Sequence, residues 1–398
     1  MKSVFTLFVM LFCFLLRGQA PSALVMGHAD TIPSKVLHEN RTLWIYNPAE
    51  GTADQDERFP VLFLLDAESH FASTVAMTRQ MEGRWPGILV VGIPNTNRTR
   101  DLTPDGNPHG RAGNDSISRD DKFLDFVKLE LIPYIESNYP ASSYRLFSGH
   151  SLGGLTVIYT FLNDPDLFRA YIAIDPSLWW NDGQLIEQAG DELPKRTYDG
   201  ISLFLGRANN MPPGMDTIAA RSDTTQYTLL YRKVSGFLNV LEKTKPRGLR
   251  WKSKFYPEEI HGTVQLNAQY DALKFLFNFY QFRTSIFDLH PELDMEATLA
   301  DHFKTVSERF GYPVSPPESL INNLGYTCLG IKEWEKARTF FEQNIRNHPN
   351  SANCFDSMGD YYQAVGDRQK AIEQYTKALS MGDDQGTRDK LEYLKSLQ

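Results

Sequence analysis

The chain has 398 residues, of which 41% are hydrophobic and 23% charged, a balance typical of a globular protein with a large buried core. Its length is too great for one small domain, and we expect two. The formal net charge of −8 offers no basic surface for nucleic acid or anionic lipid, so a nucleic-acid function is discounted.

The first 20 residues have the order of a secretory signal peptide. Lys2 precedes an apolar run at 4–16, and Gly18-Gln19-Ala20 supplies the small residues of a cleavage site. The run is too short to span a membrane comfortably, and its alternative is a buried N-terminal helix. Cys13 lacks the small residues that precede a lipoprotein cleavage site, so no membrane anchor is predicted. We expect a periplasmic or secreted protein.

The mature chain would keep Cys328 and Cys354, and neither has the spacing of a metal or redox motif. Disulfide bonds are therefore not expected to stabilise the fold. The sequence also shows no glycine-rich nucleotide loop and no cluster of metal ligands, so no cofactor and no metal are predicted.

Apolar runs alternate with amphipathic segments from about residue 35, as a mostly parallel sheet with crossover helices requires. The run at 60–65 is continuous, which is typical of a strand buried on both faces. Further strands are predicted at 43–46, 87–93, 144–147, 170–174, 201–205 and 251–256, and helices at 120–139, 155–162 and 227–242. Ligands of such sheets bind beyond the carboxyl ends of the strands, so functional residues are expected directly after them.

Gly149-His150-Ser151-Leu152-Gly153 has the G-x-S-x-G pattern of a nucleophile elbow, the sharp strand-to-helix turn of α/β hydrolases. The predicted strand before it and the apolar helix after it favour this interpretation over an ordinary glycine turn. A serine hydroxyl is a weak nucleophile that needs a nearby base and N–H groups for the oxyanion. We predict that Ser151 is that nucleophile.

His261 follows the last predicted strand and comes late in the chain, as the hydrolase order of serine, acid and histidine requires. It is the predicted general base, which takes the proton of Ser151 and returns it to the leaving group. The alternatives are an ordinary loop histidine at this position, or another base among His70, His109 and His150.

The sequence does not decide which residue is the acid, the third member of the catalytic triad with Ser151 and His261. The loop after the strand at 201–205 offers asparagine where a carboxylate is expected earliest, and Asp216 is its first carboxylate. We predict Asp216 as the acid, with the N-cap of a following helix as its alternative role. The other candidates are Asp223, Glu258 and Glu259, or a dyad without an acid.

Two backbone N–H groups are expected to form the oxyanion hole. One is that of Leu152, the residue after the nucleophile. The other belongs to Asp66 or Ala67, which directly follow the strand at 60–65. The side chain of Asp66 is expected to cap the turn that begins there.

Arginine and tryptophan side chains suggest a substrate-binding surface. Arg98, Arg100 and Arg111 are candidates to contact an anionic or polyhydroxylated substrate, with solvated loop arginines as the alternative. Trp179 and Trp180 are candidates to wall an acyl or aromatic pocket, with a core tryptophan pair as the alternative. The position of this pair directly after a strand favours the pocket.

Six segments together resemble the putative esterase family of α/β hydrolases, which includes enterobactin and other siderophore esterases, feruloyl esterases, S-formylglutathione hydrolase and mycolyltransferases. These segments lie at 43–46, 64–71, 92–104, 149–153, 175–180 and 261–262, and the resemblance spans roughly residues 30 to 285. The segments at 92–104 and 175–180 are most similar to the siderophore-esterase branch. The resemblance implies that Ser151 and His261 are nucleophile and base. Family members place an acid near Asn209 or Asn210, so the resemblance does not identify the acid of this chain.

The composition changes beyond residue 285, and a repeat follows a helical connection at 286–316 that holds one helix at 295–310. Positions in the first repeat recur 34 residues later in the second: Leu324-Gly325, Ala337, Phe341 and Pro349 as Met358-Gly359, Ala371, Tyr375 and Asp383. The period resembles the tetratricopeptide helix pair, in which small residues let helices approach closely. Two repeats are marginal for stability, so the helices at 295–310 and 385–397 are expected to act as partners or caps.

The sequence thus predicts an α/β-hydrolase domain at 21–285, the connection, and a tetratricopeptide-like domain at 317–398. The expected activity is cleavage of a small-molecule carboxylic ester through an acyl-enzyme on Ser151, and acyl transfer to another acceptor shares this intermediate. A second hypothesis is an inactive hydrolase fold that serves as a scaffold, with the repeats binding a protein partner. A third is that the repeats shape the entrance of the active site.

Overall fold

The structure is a computed structural model and describes residues 25–50, 57–104, 120–283 and 294–397. The predicted signal peptide, Cys13, His109 and Arg111 lie outside the described residues. None of the helices in these ranges combines the length and the apolar character that crossing a bilayer takes.

An eight-stranded sheet with the order β1-β2-β4-β3-β5-β6-β7-β8 organises the described part of the chain before residue 284. The strands are β1 (His28–Ser34), β2 (Glu39–Tyr46), β3 (Phe59–Leu65), β4 (Leu89–Ile93), β5 (Ala141–His150), β6 (Ala170–Ile174), β7 (Ser202–Ala208) and β8 (Arg250–Tyr256). β2 pairs antiparallel with β1 and β4, and every other pair is parallel. The predicted mostly parallel sheet is confirmed.

Helices cover both faces of this sheet. They are α1 (Ala67–Gln80), α2 (Arg98–Leu102), α3 (Asp120–Phe126), α4 (Ile132–Asn138), α5 (Leu152–Asn163), α6 (Gln184–Glu192), α7 (Thr217–Ser222), α8 (Leu229–Thr244) and α9 (Val264–Phe277). The helix predicted at 120–139 is present in three pieces, because a π-helical turn at Val127–Leu131 joins α3 to α4. The sequence analysis missed β1, α1, α2, α6 and α9.

The central strand β3 shows why a continuous apolar run belongs in the middle of the sheet. All of its seven residues are buried. Phe63 contributes to the hydrophobic core on one face, and its neighbours Leu62 and Leu64 contribute to the core on the other. Because successive side chains of a strand point to opposite faces, a strand covered on both sides must be apolar at every position.

An all-helical region follows at residues 294–397. Its helices are α10 (Met295–Phe310), α11 (Glu318–Gly330), α12 (Trp334–Asn347), α13 (Ala352–Ala364), α14 (Arg368–Met381) and α15 (Gln385–Ser396). Gly325 of α11 faces the ring of Phe341 in α12, and Gly359 of α13 faces the ring of Tyr375 in α14. Equivalent positions of the sequence repeat therefore make the same contact in two helix pairs.

Aromatic side chains attach this helical region to the sheet. The ring of Phe310 at the end of α10 packs edge-on against Tyr144, with 5.0 Å between the centroids. It also packs, at a tilt, against Phe277 at the end of α9. Buried residues of both regions belong to one continuous hydrophobic cluster. Tyr144 lies near the beginning of β5, whereas Ser151 follows its end. The attachment therefore lies toward the amino end of this strand, away from the elbow.

Polar contacts join the last helix to the helix pair before it. Lys390 of α15 forms ion pairs with Asp356 and Asp360 of α13, with N···O distances of 2.7 and 2.8 Å. Tyr375 of α14 donates a hydrogen bond to Asp360 over 2.7 Å, and Thr387 donates one to Asp356 over 2.8 Å. These bonds connect α13, α14 and α15 to one another.

Candidate active site

Ser151 occupies a sharp turn between β5 and α5. Its backbone has φ 59° and ψ −115°, a left-handed conformation that is unusual for a residue with a side chain. Its N–H donates to the carbonyl of Ile174 over 3.0 Å, which ties the turn to the end of β6. Such strained backbone persists only where the surrounding structure holds it, and it presents the hydroxyl beyond the edge of the sheet.

The two glycines of the pattern make this turn sterically possible. A Cβ atom at Gly149 would lie less than 3.0 Å from backbone atoms of Gly153, so strand and helix approach too closely for a side chain there. A Cβ atom at Gly153 would lie 3.2 Å from the carboxylate of Asp66 and 3.4 Å from Leu65 Cβ. The second contact shows that the end of β3 lies directly beside the first turn of α5.

Three side chains form a hydrogen-bonded row at the carboxyl end of the sheet. Ser151 Oγ lies 3.0 Å from His261 Nε2, and His261 Nδ1 lies 2.6 Å from Asp175 Oδ2. Asp175 directly follows β6, and His261 lies in the loop between β8 and α9. Because ionised Asp175 can only accept, Nδ1 carries the proton, and Nε2 is free to accept from the serine hydroxyl.

Asp175 is buried, and both of its carboxylate oxygens are held in place. Its side chain is about 2% exposed. Oδ1 accepts from the N–H of Ala208 over 3.1 Å, and Oδ2 accepts from the side-chain amide of Asn210 over 2.7 Å. These donors satisfy both oxygens of a buried carboxylate and fix its direction toward His261.

The structure corrects the prediction of Asp216 as the acid. Asp216 is the N-cap of α7, and its carboxylate accepts from the N–H groups of Ile218 and Ala219 over 2.9 and 2.7 Å. The alternative role that the sequence offered for this residue is the one observed. Two of the other candidates are also engaged elsewhere, Asp223 with Thr225 and Thr228, and Glu259 with Asn267.

Sequence reasoning missed Asp175, the carboxylate that contacts His261, because it looked for an acid only after the strand at 201–205, the next predicted strand in the chain. A signal was present, since Asp175 directly follows the buried strand at 170–174 and lies between Ser151 and His261 in the chain. What the sequence did not show is that β6 is the neighbour of β5 in the sheet. That adjacency places Asp175 beside the elbow.

Two of the rival histidines lie close to the site without contacting the serine hydroxyl. His150 Nε2 donates to the carbonyl oxygen of His261 over 2.8 Å, and the two rings lie 4.6 Å apart. Burial lowers the pKa of His150 to about 4, and burial also lowers the pKa of His70, whose ring packs edge-on against His150. His150 thus holds the loop that carries His261.

The residues predicted for the oxyanion hole lie at the starts of two helices. Leu152 is the first residue of α5 and Ala67 the first of α1. The first N–H groups of a helix have no acceptor within it and carry partial positive charge, which suits them to bind an anion. Asp66, in the left-handed region at φ 53°, precedes Ala67.

The carboxylate of Asp66 was predicted to cap the turn, and this prediction is wrong. It instead accepts two hydrogen bonds from Arg98, at 2.6 and 3.0 Å, and one from Asn95 at 2.7 Å. The ion pair with Asp66 raises the pKa of Arg98. Arg98 also lies 3.4 Å from the carbonyl oxygen of His150, so it joins the loop after β3 to the elbow.

Arg98 and Arg100 both form ion pairs with carboxylates. Arg98 keeps 37% of its side chain exposed beside the elbow. Arg100 pairs with Glu39 at 2.5 Å and with Asp101 at 2.7 Å, which raises its pKa and makes it part of an ion-pair network. Neither arginine is a solvated loop side chain.

The tryptophan pair has one exposed and one packed member. Trp179 is 38% exposed, on the loop that follows Asp175. The ring of Trp180 packs against the core beside α5 and borders a small cavity of about 30 Å³. Trp179 is therefore the member of the pair that a bound molecule can reach.

A mostly parallel sheet that ends in a serine on a strand-to-helix turn is the architecture of an α/β hydrolase, and the described part of the chain has it. Comparison with known families matches residues 34–255, more than half of the chain, to the family described as "Putative esterase". The chain belongs to this family, and it is an esterase.

Named relatives and solved structures agree with this membership. Ferri-bacillibactin esterase BesA of Bacillus subtilis is 32% identical over 215 residues, which cover 45% of this chain and 71% of the relative. The siderophore enterobactin esterase of Emericella nidulans is 28% identical over 169 residues, and the match spans 36% of this chain and 52% of the relative.

Two solved structures extend the likeness. An IroE-like serine hydrolase from Shewanella oneidensis superposes with a TM-score of 0.66 at 29% identity, covering 80% of this chain and 99% of that one. An uncharacterised protein from Capnocytophaga ochracea shares the fold over 93% of this chain and 99% of its own, with a TM-score of 0.60 at 18% identity.

Proposed function

We propose that the protein cleaves esters through an acyl-enzyme on Ser151, with His261 as general base and Asp175 as the acid that orients it. The observation that carries the proposal is the row of hydrogen bonds from Ser151 Oγ to His261 Nε2, and from His261 Nδ1 to Asp175 Oδ2. Both distances lie within the range over which a base takes a proton and a carboxylate orients an imidazole.

In the acylation step, Ser151 Oγ attacks the ester carbonyl while its proton passes to His261 Nε2. The tetrahedral oxyanion forms beside the N–H groups of Leu152 and Ala67, and the imidazolium is stabilised by Asp175. The proton on Nε2 then passes to the departing alcohol. Water deprotonated by His261 attacks the acyl-enzyme in turn, and the acid product leaves.

The second oxyanion donor is assigned to Ala67 in preference to Asp66. Ala67 begins α1, so its N–H points out of the helix start, and the preceding residue holds the left-handed conformation that turns the chain there. The hydrogen bonds of Arg98 and Asn95 to the Asp66 carboxylate support this turn.

A siderophore ester is the proposed substrate class. The name of the relative from Emericella nidulans supports it, because that protein is a siderophore enterobactin esterase, and the relative from Bacillus subtilis is a ferri-bacillibactin esterase. The exposed ring of Trp179 is proposed to wall the pocket, since an aromatic face suits an aromatic ligand group. The exposed part of Arg98 is proposed to face an anionic or hydroxylated group of the substrate.

The hypothesis of an inactive scaffold loses its main support. It depended on the missing acid, and the contact between Asp175 and His261 supplies a buried, hydrogen-bonded carboxylate. Acyl transfer to an acceptor other than water uses the same intermediate and is decided only by which acceptor reaches it.

We further propose that the helical region at 317–398 is a tetratricopeptide-like unit that binds a protein partner, and that the predicted signal peptide directs export. The repeated contact of a glycine with an aromatic ring supports the first proposal. Its attachment near Tyr144 argues against a direct role at the entrance of the active site.

A fluorophosphonate probe tests the nucleophile. We expect rapid labelling of the native protein and none of Ser151→Ala, with turnover lowered by about 10⁴-fold or more. Ser148→Ala is a matched control, because Ser148 is buried on the same strand and its hydroxyl binds Gln269. Absence of labelling in a folded native protein would contradict the proposal.

A substrate panel tests the ester class. It holds catecholate trilactones, feruloyl esters and short acyl nitrophenyl esters, with Ser151→Ala as the blank. We expect the highest kcat/KM for the trilactones. A preference for another ester by tenfold or more would overturn the siderophore assignment while leaving the acyl-enzyme mechanism intact.

A further inference from the structure

A second serine lies against the nucleophile. Ser177 is 3% exposed, and its Oγ lies 3.2 Å from Ser151 Oγ. Its N–H donates to the carbonyl of Ser151 over 3.0 Å, and its own carbonyl accepts from Trp180 N–H over 3.0 Å. The backbone of Ser177 is thus fixed on the elbow, and its hydroxyl is held against the oxygen that reacts.

The direction of this hydrogen bond follows from the rest of the row. His261 Nδ1 carries its proton toward Asp175, so Nε2 accepts the proton of the Ser151 hydroxyl. Ser151 therefore has no second proton to offer, and in the contact between the two hydroxyls Ser177 is the donor. Ser177 withdraws electron density from Ser151 Oγ.

We propose that Ser177 is a further catalytic residue whose hydroxyl assists the release of the acyl group from Ser151. The inference rests on the proposed acyl-enzyme mechanism. During acylation a donor on Oγ opposes the reaction, because it lowers the electron density, and so the nucleophilicity, of the attacking oxygen.

During deacylation the same donor favours the reaction. Its hydrogen bond to the ester oxygen of acylated Ser151 makes the carbonyl carbon a better target for water. When the tetrahedral intermediate collapses, the bond from carbon to Oγ breaks, Oγ receives the electron pair, and His261 Nε2 returns the proton. Ser177 keeps its own proton throughout and stabilises the charge that develops on Oγ.

The test separates the two steps with p-nitrophenyl acetate. Single turnover with enzyme in excess measures acylation, and decay of the acyl-enzyme after rapid removal of free ester measures deacylation. In Ser177→Ala we expect deacylation to slow about tenfold, the value of one hydrogen bond of about 1.4 kcal/mol, while acylation slows less than threefold or becomes faster. Alanine at position 177 keeps the backbone hydrogen bonds to Ser151 and Trp180, so the loop after β6 stays in place.

Two further variants keep the result interpretable. Ser177→Cys has nearly the same shape with a weaker donor, and its deacylation rate should lie between those of the native protein and Ser177→Ala. Ser148→Ala should leave both rates within twofold. An unchanged deacylation rate in Ser177→Ala, or an equal loss in both steps, overturns the role of Ser177. A native protein that never acylates Ser151 overturns the mechanism itself.

Discussion

The elbow and the C-terminal helix pairs both need a glycine at a close approach between two elements. What the glycine approaches differs between the two regions. A Cβ atom at Gly149 would collide with the backbone of Gly153, whereas a Cβ atom at Gly359 would collide with the ring of Tyr375. Backbone cannot yield without moving Ser151, while a ring can shift within a helical bundle. The close approach at Gly149 fixes the position of Ser151, and the one at Gly359 only lets two helices pack closely.

The surroundings of the two glycines differ in the same way. Beside the elbow, charged and polar side chains such as Asp175 and Arg98 are held by hydrogen bonds, and several residues have left-handed backbone. In the helical region, the attachment to the sheet is made by packed rings such as Phe310 against Tyr144. Changes at the elbow should therefore reduce catalysis, and changes in the helices should reduce stability.

The largest effect is expected from removing the charge of Asp175, the proposed acid. Asp175→Asn keeps the size of the side chain but favours the wrong imidazole tautomer, and kcat should fall about 10³- to 10⁴-fold. Asp216→Asn is the matched control, because Asn caps a helix nearly as well as Asp, and kcat should stay within twofold. Equal losses in both variants would contradict the assignment of Asp175.

A smaller effect, on stability alone, is expected in the helix pairs. Gly359→Ala forces the ring of Tyr375 to move and should lower the free energy of unfolding by about 1 to 3 kcal/mol. Gly330→Ala is the control, because a Cβ atom there meets nothing within 4 Å. Urea unfolding measures the loss, and kcat/KM should be unchanged in both variants. A parallel loss of activity in Gly359→Ala would show that the two regions are coupled.

The smallest effect concerns His150, the histidine next to Ser151. The pKa of buried His150 is about 4, below the 6.5 of an unfolded chain, so the folded protein resists its protonation. Neutral His150 makes its full contribution to the free energy of unfolding above pH 6.5, and this contribution is lost as the pH falls toward 4. His150→Gln keeps a donor for the His261 carbonyl and should remove about 1 kcal/mol of the difference in unfolding free energy between pH 7 and 5.5. An unchanged pH slope in the variant would contradict this account.

Much of the site could be predicted because its signals are local. Two glycines and the apolar runs around them predict the turn at Ser151. His261 follows the last strand of the sheet. The carboxylate that contacts His261 could not be predicted in the same way. Asp175 and Asp216 both follow strands, and only the hydrogen bonds of the folded chain distinguish the partner of His261 from a helix cap.

The sequence by itself determined the class of fold, the position of most strands and the family, because periodic apolar runs and short motifs are properties of neighbouring residues. The tertiary structure alone decided which carboxylate meets His261, and that Arg98 holds Asp66. These outcomes depend on the order of strands in the sheet, which brings together residues far apart in the chain. Local sequence patterns do not show the order of strands in the sheet.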